Sequence, residues 1–142
     1  MAEPDAVLFV CTLNAVRSPM AKGLLRQLRP GLLVKSAGLD PGEPDHMMVA
    51  VMAELGLDLS HHDPHRLDRF KPEEFALVIS LSPEAHTQAL EWTRHSKTPV
   101  EYWPIPEVSL VEGSREQKLA AYRQVRDEIN KRLKARFQMA PA

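Results

Sequence analysis

AVLFVCTLNAVRSPM, residues 6–20, joins a short apolar run to a polar loop and then to the start of an amphipathic stretch. Residues 6–10 are all apolar, which indicates a buried strand. Pro19 fits the first position of a helix, where its missing N–H costs no hydrogen bond. Cys11, the chain's only cysteine, therefore stands where a strand ends and a loop begins, six residues before Arg17.

The rest of the chain repeats this alternation of strand and helix. The predicted strands are residues 6–10, 32–36, 75–81 and 100–103, and the predicted helices cover 19–28, 47–56 and segments that begin after Ser82 and Ser114. Such alternation predicts an α/β fold, with a four-stranded parallel sheet flanked by helices on both faces in three αβα layers. The length suits one domain over residues 1–142. Ligands of such folds bind beyond the carboxyl ends of the strands, where Cys11 is expected to lie.

Composition excludes several classes of function. The net charge of −1 provides no bulk basic field, so neither nucleic acid nor an anionic membrane is an expected partner. No apolar segment approaches the ~20 residues that span a bilayer, and the N-terminus lacks the basic region of a signal peptide. A lone thiol forms no internal disulfide and suits a reducing compartment. We therefore expect a cytoplasmic protein, while its oligomeric state stays open.

The loop after Cys11 has the chemistry of an anion site. Backbone N–H groups of a tight loop and of a helix start can converge on a tetrahedral oxyanion such as phosphate. Arg17 can add a bidentate, charge-assisted grip on two of its oxygens. The same positive environment favours a thiolate over a thiol, whose pKa is ordinarily about 8.5. The hypothesis is therefore a nucleophilic Cys11 within an oxyanion cradle, against the alternative of a small buried residue.

Two further residues of the loop have predicted roles. Asn14 tolerates left-handed backbone in a loop that contains no glycine. Ser18 can donate its hydroxyl to the sulfur, which helps most when the thiolate is a leaving group. The predicted phosphate-binding residues are Thr12, Leu13, Asn14, Ala15, Val16 and Arg17.

This stretch resembles the C-x5-R-S loop of the low-molecular-weight protein tyrosine phosphatases, including the asparagine and the S-P-M-A that follows the arginine. The resemblance extends along nearly the whole chain. KSAGL (35–39) is similar to the family's second strand and the loop after it, and FALVISLSPEA (75–85) to its third strand and helix start. It implies a phosphocysteine intermediate on Cys11, phosphate bound by Arg17 and the loop amides, and no metal or other cofactor.

The resemblance also indicates a general acid. The family places an Asp-Pro pair in the loop before its last helix, where this chain reads WPIPEVSLVEGS (103–114), so that Glu107 and Val108 occupy the matching positions. We expect Glu107 to protonate the leaving group and then activate water. Glu112 lies too close to the final helix to replace it. Asp40, Glu43 and Asp45 lie on another loop that can border the site and influence substrate choice.

Two departures from the family pattern bear on substrate and redox behaviour. Position 16 is valine, so the loop lacks the second cysteine with which some members form a protective disulfide. Ser109 and Leu110 stand where many members carry tyrosines that flank an aromatic substrate. The resemblance therefore implies a phosphorylated protein or a small phosphomonoester as substrate, without selecting phosphotyrosine.

Other readings of the sequence stay open. Related enzymes reduce arsenate with the same loop, and a chain without relay cysteines would need an external thiol or glutaredoxin for that reaction. A catalytically weak anion-binding or regulatory domain is a third hypothesis. The cluster His61-His62-Asp63-Pro64-His65 has no thiol partner and matches no dedicated metal spacing, so we predict no metal site there.

Overall fold

A computed structural model describes residues 5–137 and contains the predicted α/β architecture. The strands are β1 (Ala6–Cys11), β2 (Leu33–Gly38), β3 (Leu77–Ser80) and β4 (Val100–Tyr102), and the helices are α1 (Arg17–Leu28), α2 (His46–Ala53), α3 (Pro83–Trp92) and α4 (Arg115–Phe137). The four strands form one sheet in the order β2-β1-β3-β4, and every pair is parallel. The predicted fold class, a four-stranded parallel sheet flanked by helices, is confirmed.

The central strand β1 contributes to the core on both sides of the sheet, and all six of its residues are buried. Val7, Phe9 and Cys11 pack on the side of α1, α2 and α4. The alternate residues pack on the opposite side with Ala85 and Ala89 of α3. Burial on both faces explains why β1 is a continuous apolar run rather than an alternating one.

Strands are added to the sheet on both sides of β1, so the strand order reverses there while all strands stay parallel. After β1 the chain crosses to β2 on one side, and it later returns to form β3 on the other side. Cys11 is paired in register with Gly38 of β2, and the preceding Val10 with Ser80 of β3. A crevice opens beyond the carboxyl ends of strands at such a switch point, so Cys11 lies at its base.

Several predicted element boundaries differ from the structure. Helix α1 begins at Arg17, so Pro19 is its third residue rather than its first; its missing N–H still belongs to the first four, which have no intrahelical acceptor. Helix α2 ends at Ala53 rather than Gly56, because Gly56 has a φ of 77° and belongs to the turn beyond. Leu55, within the predicted helix 47–56, lies in this turn and is 38% exposed.

Helix α4 buries an apolar stripe, and a capping box precedes it. The Gln117 N–H donates to Ser114 Oγ at 3.2 Å, and the Ser114 N–H donates to Gln117 Oε1 at 2.8 Å. The buried residues of the stripe are Leu119, Tyr122, Val125, Ile129, Leu133 and Phe137. Arg126 of the same helix is only 8% exposed, because its guanidinium donates to the Val51 carbonyl and to Glu54.

Candidate active site

Cys11 is the last residue of β1, and its side chain lies at the base of the crevice. It is 2% exposed, and its sulfur is within 2.9 Å of Ser18 Oγ. The Asn14 N–H donates to the same sulfur at 3.2 Å. Two hydrogen-bond donors can therefore stabilise negative charge on Sγ, which is the requirement for a thiolate nucleophile.

Three carbonyl groups of the loop of residues 12–16 are hydrogen-bonded to backbone of another segment. They accept hydrogen bonds from the segment after β2: Leu39 and Asp40 N–H to Thr12 O at 2.8 and 2.9 Å, Gly42 N–H to Leu13 O at 2.8 Å, and Asp45 N–H to Ala15 O at 3.2 Å. Within residues 5–137, no acceptor is found for the backbone N–H groups of Thr12, Leu13, Ala15 and Val16. The carbonyls are thus satisfied by protein, while these amides are available for an anion.

Asn14 is the one non-glycine residue of the described chain with a positive φ, at 54°. Its side chain is fully buried, and Nδ2 donates to Ser18 Oγ at 2.6 Å. Ser18 Oγ accepts this bond and still has its own proton to donate, and the Cys11 sulfur lies within hydrogen-bond distance of it. The structure thus places Asn14 and Ser18 beside the Cys11 sulfur, while their roles as organiser of the loop and partner of the thiolate stay predictions.

Arg17 bridges from the loop to the segment before α4. Its Nη1 donates to the Ile105 carbonyl at 3.0 Å, and Nη2 donates to Glu107 Oε2 at 3.1 Å. The arginine is buried, whereas the Glu107 side chain is 39% exposed. The structure thus brings together the predicted anion-binding arginine and the predicted general acid, which are 90 residues apart in sequence.

A compact turn orients the other carboxylate oxygen of Glu107. Oε1 accepts from the N–H groups of Val108 and Ser109 at 2.9 and 3.0 Å, and from Ser109 Oγ at 2.9 Å. Partial burial raises the pKa of Glu107, but the hydrogen bonds from Ser109 and the positive charge of Arg17 outweigh it, and the pKa lies below its usual range. Glu107 is therefore a carboxylate at neutral pH in the ligand-free site.

A single pocket contains most of the predicted site residues. It is lined by Cys11, Leu13, Ala15, Val16, Arg17, Gly42, Glu43, Asp45, Glu107 and Ser109. Glu112, rejected from the sequence as an alternative acid, does not line it. A neighbouring groove shares Leu13, Arg17 and Glu107 with this pocket and is also lined by Thr12, Pro83, Tyr102 and residues 104–106, among others.

Of the three acids of the loop 39–45, Glu43 and Asp45 line this pocket and Asp40 does not. Asp45 caps α2, because its Oδ1 accepts from the N–H groups of Met47 and Met48. Its Oδ2 accepts from the Tyr122 hydroxyl at 2.8 Å, so both oxygens are engaged. Glu43 remains as an acidic side chain at the rim of the pocket.

Sequence analysis did not identify His62 as part of this site. Its side chain is 9% exposed, and Nε2 lies 3.2 Å from the Asn14 carbonyl and 3.3 Å from Asn14 Oδ1. The one sequence feature that includes His62 is the cluster of residues 61–65, which the sequence analysis considered as a metal site. Among residues 5–137, no group of three or more His, Cys, Asp or Glu side chains is arranged to hold a metal ion.

None of the helices in the described part of the chain combines the length and apolarity needed to cross a bilayer.

The fold and the pocket define a parallel α/β protein that presents a cysteine and an arginine in one anion-binding loop at the switch point of its sheet. The chain belongs to the family described as "Low molecular weight phosphotyrosine protein phosphatase", whose model matches residues 6–140.

Relatives in this family have two kinds of name. The chain is 32% identical over 133 residues to an arsenate reductase of Bacillus subtilis (strain 168), covering 93% of this chain and 94% of the relative. It is 48% identical over 95 residues to a probable low molecular weight protein-tyrosine-phosphatase EpsP of Ralstonia nicotianae, covering 65% of each chain. A solved structure of an arsenate reductase in the phosphate-binding state matches with a TM-score of 0.72 and 29% identity, covering 92% of this chain and 94% of that one.

Proposed function

We propose that the chain is a cysteine-dependent phosphomonoester hydrolase that acts on a phosphorylated protein or a small phosphomonoester. The observation that carries this proposal is the pocket in which Cys11, Arg17 and Glu107 meet. It holds a nucleophile, a cationic binder for a tetrahedral oxyanion and a carboxylate for proton transfer. The loop amides and the phosphate-bound relative support phosphate as the group that is bound.

In the first step the Cys11 thiolate attacks phosphorus. The S–P bond forms and the P–O bond to the leaving group breaks, while Arg17 and the loop amides bind the charged equatorial oxygens. The leaving oxygen takes a proton from the carboxylic acid of Glu107, which becomes a carboxylate. Without that proton, a phenol with a pKa of about 10 would leave as a costly anion.

In the second step water attacks the phosphocysteine. The Glu107 carboxylate takes a proton from the water as the new P–O bond forms and the S–P bond breaks. The electron pair returns to sulfur, where the hydroxyl of Ser18 at 2.9 Å stabilises the thiolate. Inorganic phosphate then leaves, and the enzyme has regained both its thiolate and its proton on Glu107.

The first step requires a protonated Glu107, although the ligand-free site holds it as a carboxylate. A phosphate group in the loop supplies oxygens for Arg17 and places negative charge near Glu107. Both changes remove stabilisation from the carboxylate and so raise its pKa. Substrate binding thereby prepares the acid for the first step.

The test is hydrolysis of p-nitrophenyl phosphate by the parent chain, Cys11→Ser and Glu107→Gln, with Glu112→Gln as a matched loss of one exposed carboxylate from the same loop. We expect no hydrolysis by Cys11→Ser, a fall of about 10²-fold or more in kcat for Glu107→Gln, and parental activity for Glu112→Gln. Acid quenching during turnover should trap phosphate on Cys11. Undiminished activity of Glu107→Gln would contradict the acid assignment and leave the nucleophile in place.

A second candidate function is arsenate reduction, favoured by the name of the Bacillus subtilis relative. The Cys11 thiolate would attack arsenic(V) with loss of water. A thiol of an external small molecule or glutaredoxin would then attack the Cys11 sulfur, and the As–S electron pair would remain on arsenic as arsenite leaves. A second external thiol would reduce the mixed disulfide, so that two thiols are oxidised for each arsenate.

The single cysteine makes this candidate dependent on the external thiol. Because Cys11 is 2% exposed, the attacking sulfur has to enter the pocket, which favours a small thiol. Arsenate-dependent consumption of glutathione, measured beside phosphate ester hydrolysis, separates the two functions. Robust arsenate turnover by a parent chain that hydrolyses no p-nitrophenyl phosphate would overturn the hydrolase proposal.

A further inference from the structure

The groove beside the active-site pocket is continuous with it, because Leu13, Arg17 and Glu107 line both cavities. Its volume is about 650 Å³, against about 270 Å³ for the pocket, which is enough room for a ligand group of several side-chain atoms. The proposed mechanism places the ester oxygen of the substrate next to Glu107. A substrate whose phosphate lies on Arg17 therefore has the groove open to the groups beyond that oxygen.

The walls of the groove are rigid and largely apolar. Pro83, Pro104 and Pro106 line it with rings that fix their own backbone φ. Tyr102 is 37% exposed, and its ring stacks on that of His86, with 4.7 Å between the centroids and 16° between the planes. The stack holds the tyrosine ring in place while part of it stays accessible, so the groove is preorganised for an extended side chain.

Glu84 gives the groove an uncompensated negative charge. It is exposed in the first turn of α3, and its side chain forms no hydrogen bond or ion pair with any residue in the range 5–137. The other charged residues of the lining, Arg17 and Glu107, bond to each other. Among the described residues that line the two cavities, Arg17 is the one cation, and it is expected to bind the phosphate.

We propose that the groove selects phosphorylated protein segments that carry an arginine or lysine close to the phosphorylated residue, and that Glu84 determines this specificity. The cationic group of the substrate pairs with Glu84, while its aliphatic stem packs against Tyr102 and the prolines. A guanidinium suits the groove better than an ammonium, because it can also stack on the aromatic ring. The inference rests on the proposed function and narrows its substrate to a phosphorylated protein.

The same charge excludes acidic segments. A glutamate or aspartate next to the phosphorylated residue would meet Glu84 as a like charge. It would find no cation but Arg17 among the described residues of the lining, and the phosphate occupies that arginine. The groove therefore discriminates by repulsion as well as by attraction.

The position of Glu84 also has a simpler explanation, since a carboxylate in the first turn of a helix stabilises it through the helix dipole. That role predicts an effect on the free energy of unfolding and none on the choice between peptides. The ratio of kcat/KM for two peptides, taken within one variant, separates the two roles because changes in folding or in basal activity cancel from it.

The experiment measures kcat/KM for phosphotyrosine peptides that differ at one position. That position holds arginine, lysine, alanine or glutamate and is moved through the three residues on either side of the phosphotyrosine. The enzymes are the parent chain, Glu84→Gln and Glu84→Lys. Glu91→Gln is the matched control, because it removes an exposed carboxylate from the same helix that does not line the groove.

At the best position we expect the parent to prefer arginine to alanine by about three- to fivefold, the range of an exposed ion pair, and to prefer arginine to glutamate by more. The difference should lie in KM rather than kcat, because the contact is the same in the ground state and the transition state, and it should shrink at high salt. The preference should disappear in Glu84→Gln, reverse in Glu84→Lys and persist in Glu91→Gln. Equal use of all peptides by the parent, or a parental ratio in Glu84→Gln, would overturn the inference.

Calorimetry with hydrolysis-resistant phosphonate analogues of the arginine and glutamate peptides measures the same selectivity without catalysis. A parent chain that binds the arginine analogue more tightly through Glu84, yet hydrolyses no phosphate ester, would refute the proposed function and leave the role of the groove intact. Hydrolysis of p-nitrophenyl phosphate without any Glu84-dependent choice between peptides would overturn the groove inference and leave the hydrolase in place.

Discussion

Arg17 donates a hydrogen bond to Glu107 across the active-site pocket, with 3.1 Å between Nη2 and Oε2. The same guanidinium is the group expected to bind an oxyanion. In the ligand-free site the Glu107 carboxylate therefore occupies one of the donors that phosphate would use. Glu107 is both the proposed acid and a competitor of the anion that it helps to process.

Replacing Glu107 with glutamine should strengthen the binding of inorganic phosphate. The variant removes a negative charge near the anion and weakens the bond that holds Arg17, so we expect phosphate to bind about two- to fivefold more tightly, the range of a partly exposed ion pair. Isothermal titration calorimetry of phosphate into the parent, Glu107→Gln and Glu112→Gln measures this. Equal or weaker binding to Glu107→Gln would contradict competition for Arg17.

Gly38 should tolerate no side chain, because β2 passes directly behind the active-site loop. A Cβ atom at this position would lie 2.8 Å from the Asn14 nitrogen and 2.9 Å from the Leu13 carbonyl carbon. Both contacts are with backbone, so Gly38→Ala has to displace the loop. We expect a loss of about 1–3 kcal/mol in the free energy of unfolding, together with loss of phosphate binding.

Gly31→Ala is the matched control for this substitution, since its Cβ would meet no atom within 4 Å. Urea unfolding and phosphate titration of both variants make the comparison. Parental phosphate affinity in Gly38→Ala would show that the loop adapts to the added methyl group.

The local part of the site could be predicted from sequence because its geometry depends on neighbours along the chain. Cys11, Asn14, Arg17 and Ser18 lie within eight residues, and the strand before them and the helix after them determine how they converge. The left-handed backbone of Asn14 follows from the same reasoning, since a tight loop without glycine needs a residue that tolerates it.

The distant part of the site could not be predicted in this way. Glu107 was found only through the family resemblance, and the turn in which Ser109 orients its carboxylate depends on how the segment before α4 folds over Arg17. His62 and Asn14 meet across 48 residues, and no periodicity connects them. Strand β2 extends beyond the predicted Ser36 to Gly38 for a similar reason, because its last residues pair with β1.

Two substitutions of Asn14 should separate its backbone role from its side-chain role. Asn14→Gly permits the φ of 54° but removes the amide, whereas Asn14→Ala removes the amide and also disfavours that φ. We expect Asn14→Ala to be less stable than Asn14→Gly by about 1 kcal/mol in urea unfolding. Both should slow alkylation of Cys11 at neutral pH, because Ser18 is no longer oriented. Equal stability would contradict the backbone role, and parental alkylation rates would contradict the side-chain role.

Glu54 should make stability depend on acid pH far from the active site. Its carboxylate accepts from Arg123 Nη2 at 2.8 Å and Arg126 Nη1 at 2.7 Å, which joins the end of α2 to α4. These hydrogen bonds, with that of Arg123 the larger influence, lower the pKa of Glu54 from 4.5 to about 2. Because the folded-state pKa is depressed, the stabilisation is fully present above the unfolded value and is lost as pH falls through the folded value.

The test is the difference in the free energy of unfolding between the parent and Glu54→Gln, measured with urea from neutral pH down to the folded-state pKa. We expect the parent to be more stable at neutral pH and the difference to shrink once pH falls below 4.5, the unfolded value, and to be nearly gone near 2. Glu112→Gln, which removes an exposed loop carboxylate, should show no such convergence. A difference that is constant with pH would mean that the ion pairs of Glu54 contribute nothing and that the variant acts through packing alone.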